Sequence, residues 1–243
     1  MLWGEGYLSP GGAEEVDAVL EGSDLAGCTV LDIGCGAGGI SLGLARDHGA
    51  GRVVGVDVEA PVLAHARRRA SQAGMTDRLE FVQVEPGPLP FEAGTFDLVF
   101  SKDAIIHIPD KEALFSDILR VLRPGGRLAA GDWLIAHDDA PSSAMQQYLA
   151  LEDLDFAMAS PDRYRRALAA AGFSGIELRN RNPWYREVAR RELAALEGDL
   201  HERAVEAGGQ ALVDRNIVTW RAMLTVLDSG EHCPHHLRAR KPA

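Results

Sequence analysis

The sequence predicts an α/β fold, and three observations support this prediction. Strand-like and helix-like patterns alternate through the first half of the chain, as in a parallel sheet covered by helices. A glycine-rich turn follows the first strand pattern at Gly34, and Pro124-Gly125-Gly126 breaks the chain before the fifth. We therefore expect a Rossmann-like, seven-stranded, mostly parallel sheet with helices on both faces and a small helical cap.

The first half of the chain contains the clearest elements. Its strand patterns lie at residues 29–33, 53–57, 79–84, 96–101 and 127–132. Its helical patterns lie at residues 13–20, 39–48, 60–73 and 111–122. Because strands and helices alternate, the strands are expected to run parallel, with their carboxyl ends at one edge of the sheet.

The composition changes after Trp133. Residues 145–158 predict a helix with an acidic face, and Ser160 and Gly172 are typical of the start and end of the next helix. The remaining patterns predict a strand at 176–178, helices at 184–207 and 217–227, and an edge strand at 237–241. We expect one domain over residues 1–243, with residues 134–160 forming a cap that binds substrate.

The bulk composition excludes several kinds of partner. A net charge of −11 argues against nucleic acid or an anionic membrane, since both require a basic surface. No apolar run approaches the ~20 residues of a membrane span. The 3 scattered cysteines and the absence of a signal peptide pattern are typical of a cytoplasmic protein. We expect a monomer or a homodimer.

A cluster of potential metal ligands, His232-Cys233-Pro234-His235-His236, lies near the end of the sequence. It lacks a second cluster at a ligand spacing, which a zinc site would need. We therefore expect a polar loop before the last strand and no metal.

The glycine-rich turn fits two cofactor patterns. Gly34, Gly36 and Gly39 match G-x-G-x-x-G, a dinucleotide fingerprint for which Asp57 would be the ribose ligand. The pattern D-x-G-x-G-x-G is matched by Asp32, Gly34, Gly36 and Gly38. A carboxylate at Asp32 disfavours an anionic diphosphate and suits an ammonium or sulfonium group. The sequence therefore favours S-adenosylmethionine.

Further polar residues follow the neighbouring strands. Asp57 ends the second strand, where its carboxylate can accept hydrogen bonds from both ribose hydroxyls. Glu85 follows the third strand, where it can accept the adenine amino group. The run from Ser101 to His107 follows the fourth strand. All of these residues are expected at the ligand crevice at the carboxyl edge of the sheet.

Asp103 and His107 suggest proton handling at this crevice. If the run is helical, the two side chains share a face at a spacing of i and i+4. A histidine takes up a proton near neutral pH, and a nearby carboxylate increases its basicity. The alternative is a structural histidine that bonds a nearby carbonyl.

Over residues 28–135 the sequence resembles the class I S-adenosylmethionine-dependent methyltransferases, through VLDIGCGAGG, VVGVDV, FDLVFSKDAIIHI and LRVLRPGGRL. Within that class, GEGYLSPGG and SKDAIIHIPDKEALF resemble segments of the phosphoethanolamine N-methyltransferases. The resemblance implies that residues 1–20, including Ser9, form a lid over the cofactor. It also implies a catalytic dyad of Tyr7 and His107, with Asp103 contacting the substrate amine.

The same resemblance places further residues. Gly34 and Gly36 match its cofactor turn, Asp57 its ribose ligand and Glu85 its acidic adenine contact. Trp133 and Tyr148 resemble aromatic positions of its substrate pocket, and Arg238 aligns with a phosphate-binding lysine. The sequence departs from the family at Pro86, which has no N–H for adenine, and in the cap, where Glu152 and its acidic neighbours replace an arginine. Carboxylates repel a phosphate dianion and favour a cationic amine.

These observations predict an S-adenosylmethionine-dependent N-methyltransferase acting on a small polar amine, either phosphoethanolamine-like, an amino acid or another small amine. The first alternative is a C- or O-methyltransferase acting on a quinone, phenol or natural product. The second is a cofactor-binding protein that has lost catalysis. The third is an NAD-dependent oxidoreductase, although the chain lacks a Tyr-x-x-x-Lys pair.

Overall fold

The computed structural model describes residues 5–243, and within them a single sheet runs in the order β3-β2-β1-β4-β5-β7-β6. Its strands are β1 Thr29–Ile33, β2 Arg52–Asp57, β3 Leu79–Gln83, β4 Phe96–Lys102, β5 Leu122–Asp132, β6 Ser174–Asn180 and β7 His235–Arg240. The helices are α1 Gly12–Leu20, α2 Gly39–Arg46, α3 Ala60–Gln72, α4 Lys111–Val121, α5 Ser143–Glu152, α6 Pro161–Ala171, α7 Asn182–Glu197, α8 His201–Gly208 and α9 Gln210–Ser229.

The parallel part of the sheet confirms the prediction. Strands β3, β2, β1, β4 and β5 pair in parallel, so their carboxyl ends meet at one edge. The chain changes direction across the sheet between β1 and β4, which is where open α/β sheets bind ligands.

The position of the last strand was predicted wrongly. Strand β7 lies inside the sheet and pairs antiparallel with both β5 and β6, so that β6 forms the edge. The alternation of residues 237–241 suggested an edge strand, but β7 is paired on both sides, and its partly exposed Arg238 donates to backbone carbonyls of α1.

Two helix boundaries also differ from the sequence pattern. Helix α5 ends at Glu152 because Asp153 adopts a left-handed backbone conformation with φ of 53°. The pattern at 184–207 forms two helices, α7 and α8, because Gly198 ends the first. Because α5 ends early, residues 153–160 form an irregular segment beside the carboxyl edge of the sheet.

Three apolar clusters fill the structure. One lies between the sheet and helices α4 and α6, and a second lies between the sheet and helices α1, α2 and α3. The third joins α5, α7 and α9 to Trp133, just beyond the end of β5. The helical layer over this end of the sheet therefore includes α7 and α9 as well as the predicted residues 134–160.

Neither a membrane-spanning helix nor a cluster of metal ligands is found within residues 5–243. No helix in this range has the length and apolar character needed to cross a membrane. The same residues contain no group of three or more metal-ligating side chains placed to hold an ion.

A buried ionic cluster anchors α1. Glu15 is fully buried and accepts hydrogen bonds from His236 at 2.6 Å and from Arg181 at 2.7 Å. Burial alone raises the pKa of Glu15, but the bonds from His236 and Arg181 outweigh it and hold that pKa below its usual value. The cluster ties α1 to β7 and to the start of α7.

We predict that Glu15→Gln lowers the free energy of unfolding by about 3 kcal/mol or more, because it leaves Arg181 buried without its counter-charge. The matched control is Glu21→Gln, which removes the exposed ion pair with Arg179 and should cost less than about 1 kcal/mol. Urea denaturation at pH 7 measures both values. Equal losses for the two variants would contradict the structural role of Glu15.

Candidate active site

The glycine turn after β1 adopts backbone conformations that other residues rarely take. The φ angles of Gly34, Gly36 and Gly38 are 71°, 51° and 79°. A Cβ on Gly34 would lie 2.2 Å from the Cβ of Ala104, which follows β4. The turn therefore needs glycine both for its backbone angles and for its close approach to the end of β4.

Asp32 is buried beside this turn. Its Oδ2 accepts a hydrogen bond of 2.6 Å from the hydroxyl of Ser41 in α2. The residue as a whole is 1% exposed. Burial raises its pKa to about 7; the bond from Ser41 opposes this, and the nearby Asp57 adds to it. Within residues 5–243, no ion pair joins Asp32 to a cation.

Asp57 lies next to Asp32 at the end of β2. Its Oδ2 accepts a hydrogen bond of 2.9 Å from the backbone N–H of Gly36, and its Oδ1 accepts one of 3.0 Å from the backbone N–H of Glu59. Glu85 is exposed just beyond β3, and the backbone of its neighbour Val84 bonds that of Asp57. The structure therefore brings Asp57 to the turn and Glu85 to the same edge.

Ser101 is buried and its hydroxyl donates to the backbone oxygen of Ile33 at 3.0 Å. This bond joins the ends of β1 and β4. The structure gives Ser101 the role of holding the two strand ends together at the crevice, with its hydroxyl already engaged.

The N-terminal segment, residues 5–11, lies across the glycine turn. A Cβ on Gly39 would come within 2.5 Å of the Gly6 backbone, and one on Gly36 would come within 2.9 Å of the Leu8 side chain. Residues 1–4 of the predicted lid lie outside the described residues.

Lys102 connects this segment to the end of β4. Its fully buried ammonium donates to Ser9 Oγ at 2.8 Å, to the Pro10 carbonyl at 3.0 Å and to Asp103 Oδ2 at 2.5 Å. Asp103 itself has a left-handed φ of 58°, a strained conformation for a residue other than glycine. Lys102 therefore fixes both the N-terminal segment and Asp103, the carboxylate that was predicted to contact the amine.

The structure does not bring Tyr7 and His107 together. The Tyr7 hydroxyl lies beside α2, where a Cβ on Gly43 would be 3.5 Å away, and burial raises its pKa with a contribution from Asp47. His107 is exposed, and its Nδ1 lies 3.2 Å from the Asp155 carbonyl. No hydrogen bond joins the two side chains in the part of the chain that the structure describes.

A buried network supports the 3₁₀ turn Ile105–His107. Lys111 donates to the carbonyls of Ile105 and Ile108 at 2.6 Å each. Asp132 accepts hydrogen bonds from the Ile106 N–H at 3.1 Å and from the Tyr164 hydroxyl. Burial lowers the pKa of Lys111 to about 8 and raises that of Asp132 to about 7. These groups fix the 3₁₀ turn that carries His107.

An aromatic cluster lies beyond the end of β5. The Trp133 ring is 4.6 Å from Tyr185 and 4.7 Å from His232, with which it stacks at 26°. The Tyr148 ring is 5.2 Å from His232. Burial raises the pKa of Tyr148, and the carboxylates of Glu152 and Asp103 add to the effect, so both acids lie close to this cluster.

The structure places Arg238 outside this cluster. Its guanidinium donates to the carbonyls of Val19 at 3.2 Å and Ala18 at 3.0 Å, and so satisfies the last turn of α1. Arg238 lies midway along β7 and not at the carboxyl edge of the sheet, so these contacts give no support to its assignment to the substrate pocket.

Several residues of this site were missed by sequence reasoning. Lys102, Lys111 and Tyr185 gave no signal of their own. Asp132 lies at the end of β5 much as Asp32 lies one residue before the end of β1, and the same rule could have found it. The cluster containing His232 was noticed but was predicted to form a polar loop, whereas His232, His235 and His236 are buried.

Comparison with known proteins agrees with this geometry. Residues 30–126 match the family model Methyltransf_25, described as a methyltransferase domain. A solved structure of phosphoethanolamine N-methyltransferase 2 from Haemonchus contortus, in complex with phosphomonomethylethanolamine and S-adenosylhomocysteine, is 29% identical with a TM-score of 0.91. The chain has the Rossmann-like methyltransferase fold. The match covers 100% of this chain and 56% of the Haemonchus chain.

Curated methyltransferases are also similar to this chain, over part of their own length. Phosphoethanolamine N-methyltransferase from Triticum aestivum is 30% identical over 95% of this chain and 44% of its own length. A sterol 24-C-methyltransferase, ERG6B from Gibberella zeae, is 34% identical over 60% of this chain and 40% of its own length. The chain spans less than half the length of these two relatives.

We predict that Lys102→Met releases the N-terminal segment, because Ser9 and Pro10 lose their bonds to the buried ammonium. Amide hydrogen exchange over residues 6–12 should rise at least about tenfold. The control is Lys241→Met, which removes an ammonium that also donates to two backbone carbonyls, far from this segment. Unchanged exchange over residues 6–12 would show that Lys102 does not fix the segment.

Proposed function

We propose that this chain is an S-adenosylmethionine-dependent N-methyltransferase that methylates a small polar amine. The proposal rests on one arrangement at the carboxyl edge of the sheet. A glycine turn with two acidic neighbours, suited to a sulfonium nucleoside, lies beside a second set of acidic and aromatic groups suited to an amine. Asp103 and the turn share this edge because β4 pairs directly with β1.

The cofactor would occupy the crevice between the glycine turn and the N-terminal segment. The amino-acid ammonium of S-adenosylmethionine would supply the positive charge that Asp32 lacks. Asp57 would bind the ribose hydroxyls and Glu85 the adenine amino group. Residues 5–11 would act as the lid, held by Lys102 through Ser9.

The amine would bind between Asp103 and the aromatic cluster. A carboxylate orients an ammonium, and aromatic faces stabilise its charge by cation–π attraction. The Triticum and Haemonchus proteins named above act on, or are bound to, phosphorylated ethanolamines according to their names. Glu152 stands at the side of Tyr148, so an unphosphorylated amine suits this end of the pocket better than a phosphate.

In the transfer step, the nitrogen lone pair attacks the methyl carbon while the bond between that carbon and sulfur breaks. The sulfonium becomes the neutral thioether of S-adenosylhomocysteine, and the nitrogen gains a positive charge. Catalysis requires a deprotonated amine held about 3–3.5 Å from the methyl carbon, in line with the bond to sulfur. His107, oriented by the network of Lys111 and Asp132, takes the proton from the amine.

The sterol methyltransferase match supports a second candidate, methyl transfer to carbon on the same scaffold. An acceptor screen with labelled cofactor separates the two candidates. Transfer to small amines supports the proposal, whereas transfer only to phenols, quinones or sterols would contradict it.

The proposed setting is the cytoplasm, with the chain as a monomer or homodimer. Cys28, Cys35 and Cys233 are all free thiols, which suits a reducing compartment. The net charge of −11 disfavours nucleic acid as a partner.

We predict that His107→Ala lowers kcat about 10²–10⁴-fold while the dissociation constant of S-adenosylhomocysteine stays the same, because the base acts only on the amine. Tyr7→Phe should change kcat by less than about threefold, since its hydroxyl lies against α2. Steady-state kinetics and calorimetry measure these values. A loss for Tyr7→Phe as large as that for His107→Ala would instead support a Tyr7–His107 dyad formed when ligands bind.

A further inference from the structure

His232 lies in the middle of the aromatic cluster and has no assigned role. Its side chain is fully buried between the rings of Trp133, at 4.7 Å, and Tyr148, at 5.2 Å. It precedes β7 and bridges to Ile135, so its position is fixed by the sheet and by the chain leaving β5. Both flanking aromatic residues were expected to form the substrate pocket.

The hydrogen bonds of His232 determine which ring nitrogen carries the proton. Its Nδ1 lies 3.2 Å from the Leu134 carbonyl, which can only accept, so Nδ1 must carry the hydrogen. Burial lowers the pKa of His232 to about 4, so the ring is neutral at pH 7. Its Nε2 is therefore a lone-pair acceptor.

This acceptor has no partner. Nε2 is buried and makes no hydrogen bond in the part of the chain that the structure describes. A buried polar atom left unsatisfied costs roughly 1–3 kcal/mol, so such atoms call for an explanation. A hydrogen-bond donor supplied by a bound molecule would satisfy it.

The charges around the cluster narrow the kind of molecule. Asp103 and Glu152 act on Tyr148, which places two carboxylates at this pocket. The ammonium of Lys102 already bonds Asp103 and the lid segment, and Arg181 bonds Glu15 while lying over the Trp184 ring. A phosphate dianion would meet these carboxylates and the lone pair of a neutral histidine, and it has no proton to donate.

We infer that His232 recognises the acceptor substrate and that this substrate is an unphosphorylated amino alcohol. Its Nε2 accepts a hydrogen bond from the substrate hydroxyl while Asp103 holds the amine for methylation. This inference rests on the proposed N-methyltransferase function. His232 thus acts as a specificity-determining residue, distinct from the base His107.

The test compares ethanolamine, ethylamine and phosphoethanolamine as acceptors. Wild-type protein should show a kcat/KM for ethanolamine at least tenfold above that for ethylamine, which lacks the hydroxyl, and above that for phosphoethanolamine. His232→Phe should lower kcat/KM about 5–20-fold for ethanolamine and leave that for ethylamine nearly unchanged. His232→Gln, whose amide oxygen is again an acceptor, should recover part of the loss.

His235→Gln is the control, because His235 is also buried in β7 but bonds the Cys233 carbonyl outside the cluster. Calorimetry with S-adenosylhomocysteine checks that each variant retains the cofactor site. Equal losses on ethanolamine and ethylamine would make His232 merely structural and overturn the inference. A wild-type preference for phosphoethanolamine would also overturn it, while leaving the methyltransferase function in place.

The wild-type comparison needs no substitution. It therefore tests the predicted preference for ethanolamine even if His232→Phe does not fold. If wild-type protein methylates no amine at all, the proposed function fails and the inference fails with it. These outcomes therefore separate a failure of the proposed function from a failure of the role of His232.

Discussion

The site depends on how the fold compensates carboxylates buried at the ends of parallel strands. Asp103 follows β4 and pairs with Lys102, and Asp132 ends β5 near Lys111. Asp32 lies one residue before the end of β1, and within residues 5–243 the hydroxyl of Ser41 is its only side-chain partner. A buried carboxylate without a cation is costly, and its pKa rises for that reason. A cationic ligand at the glycine turn would supply the counter-charge for Asp32.

The compensation of buried carboxylates also explains why distant segments meet at this edge. Lys102 compensates Asp103 and at the same time binds Ser9 and Pro10, so the N-terminal segment is held by the same ammonium that stabilises the Asp103 carboxylate. Glu15, Arg181 and His236 then fix α1, which follows that segment. The N-terminal segment, the end of β4 and the start of α7 are therefore connected by buried polar contacts, and a change in one should affect the others.

The sequence predicted the parallel strands and the residues at their ends well, because local pattern alone decides both. Asp32, Asp57 and Asp103 needed only the rule that parallel strands end at one edge. His232 and Tyr185 reach the site from elements more than fifty residues beyond β5, and local pattern carries no information on such packing. Arg238 and Tyr7 show the opposite limit: motif similarity gave each a role, whereas the packing of α1 and α2 directs their side chains elsewhere.

The most direct test measures the unfolding free energy of wild-type protein and Asp32→Asn at pH 8, with and without S-adenosylhomocysteine. The folded-state pKa of about 7 exceeds the unfolded value near 4, so this carboxyl contributes stability below pH 4 that is lost as pH rises through 7. Without ligand at pH 8, Asp32→Asn should therefore be more stable than wild type, by about 1 kcal/mol or more. With ligand, wild type should gain more stability than the variant, since only it supplies a negative charge. A variant that is less stable alone, yet gains as much from the ligand, would contradict the account.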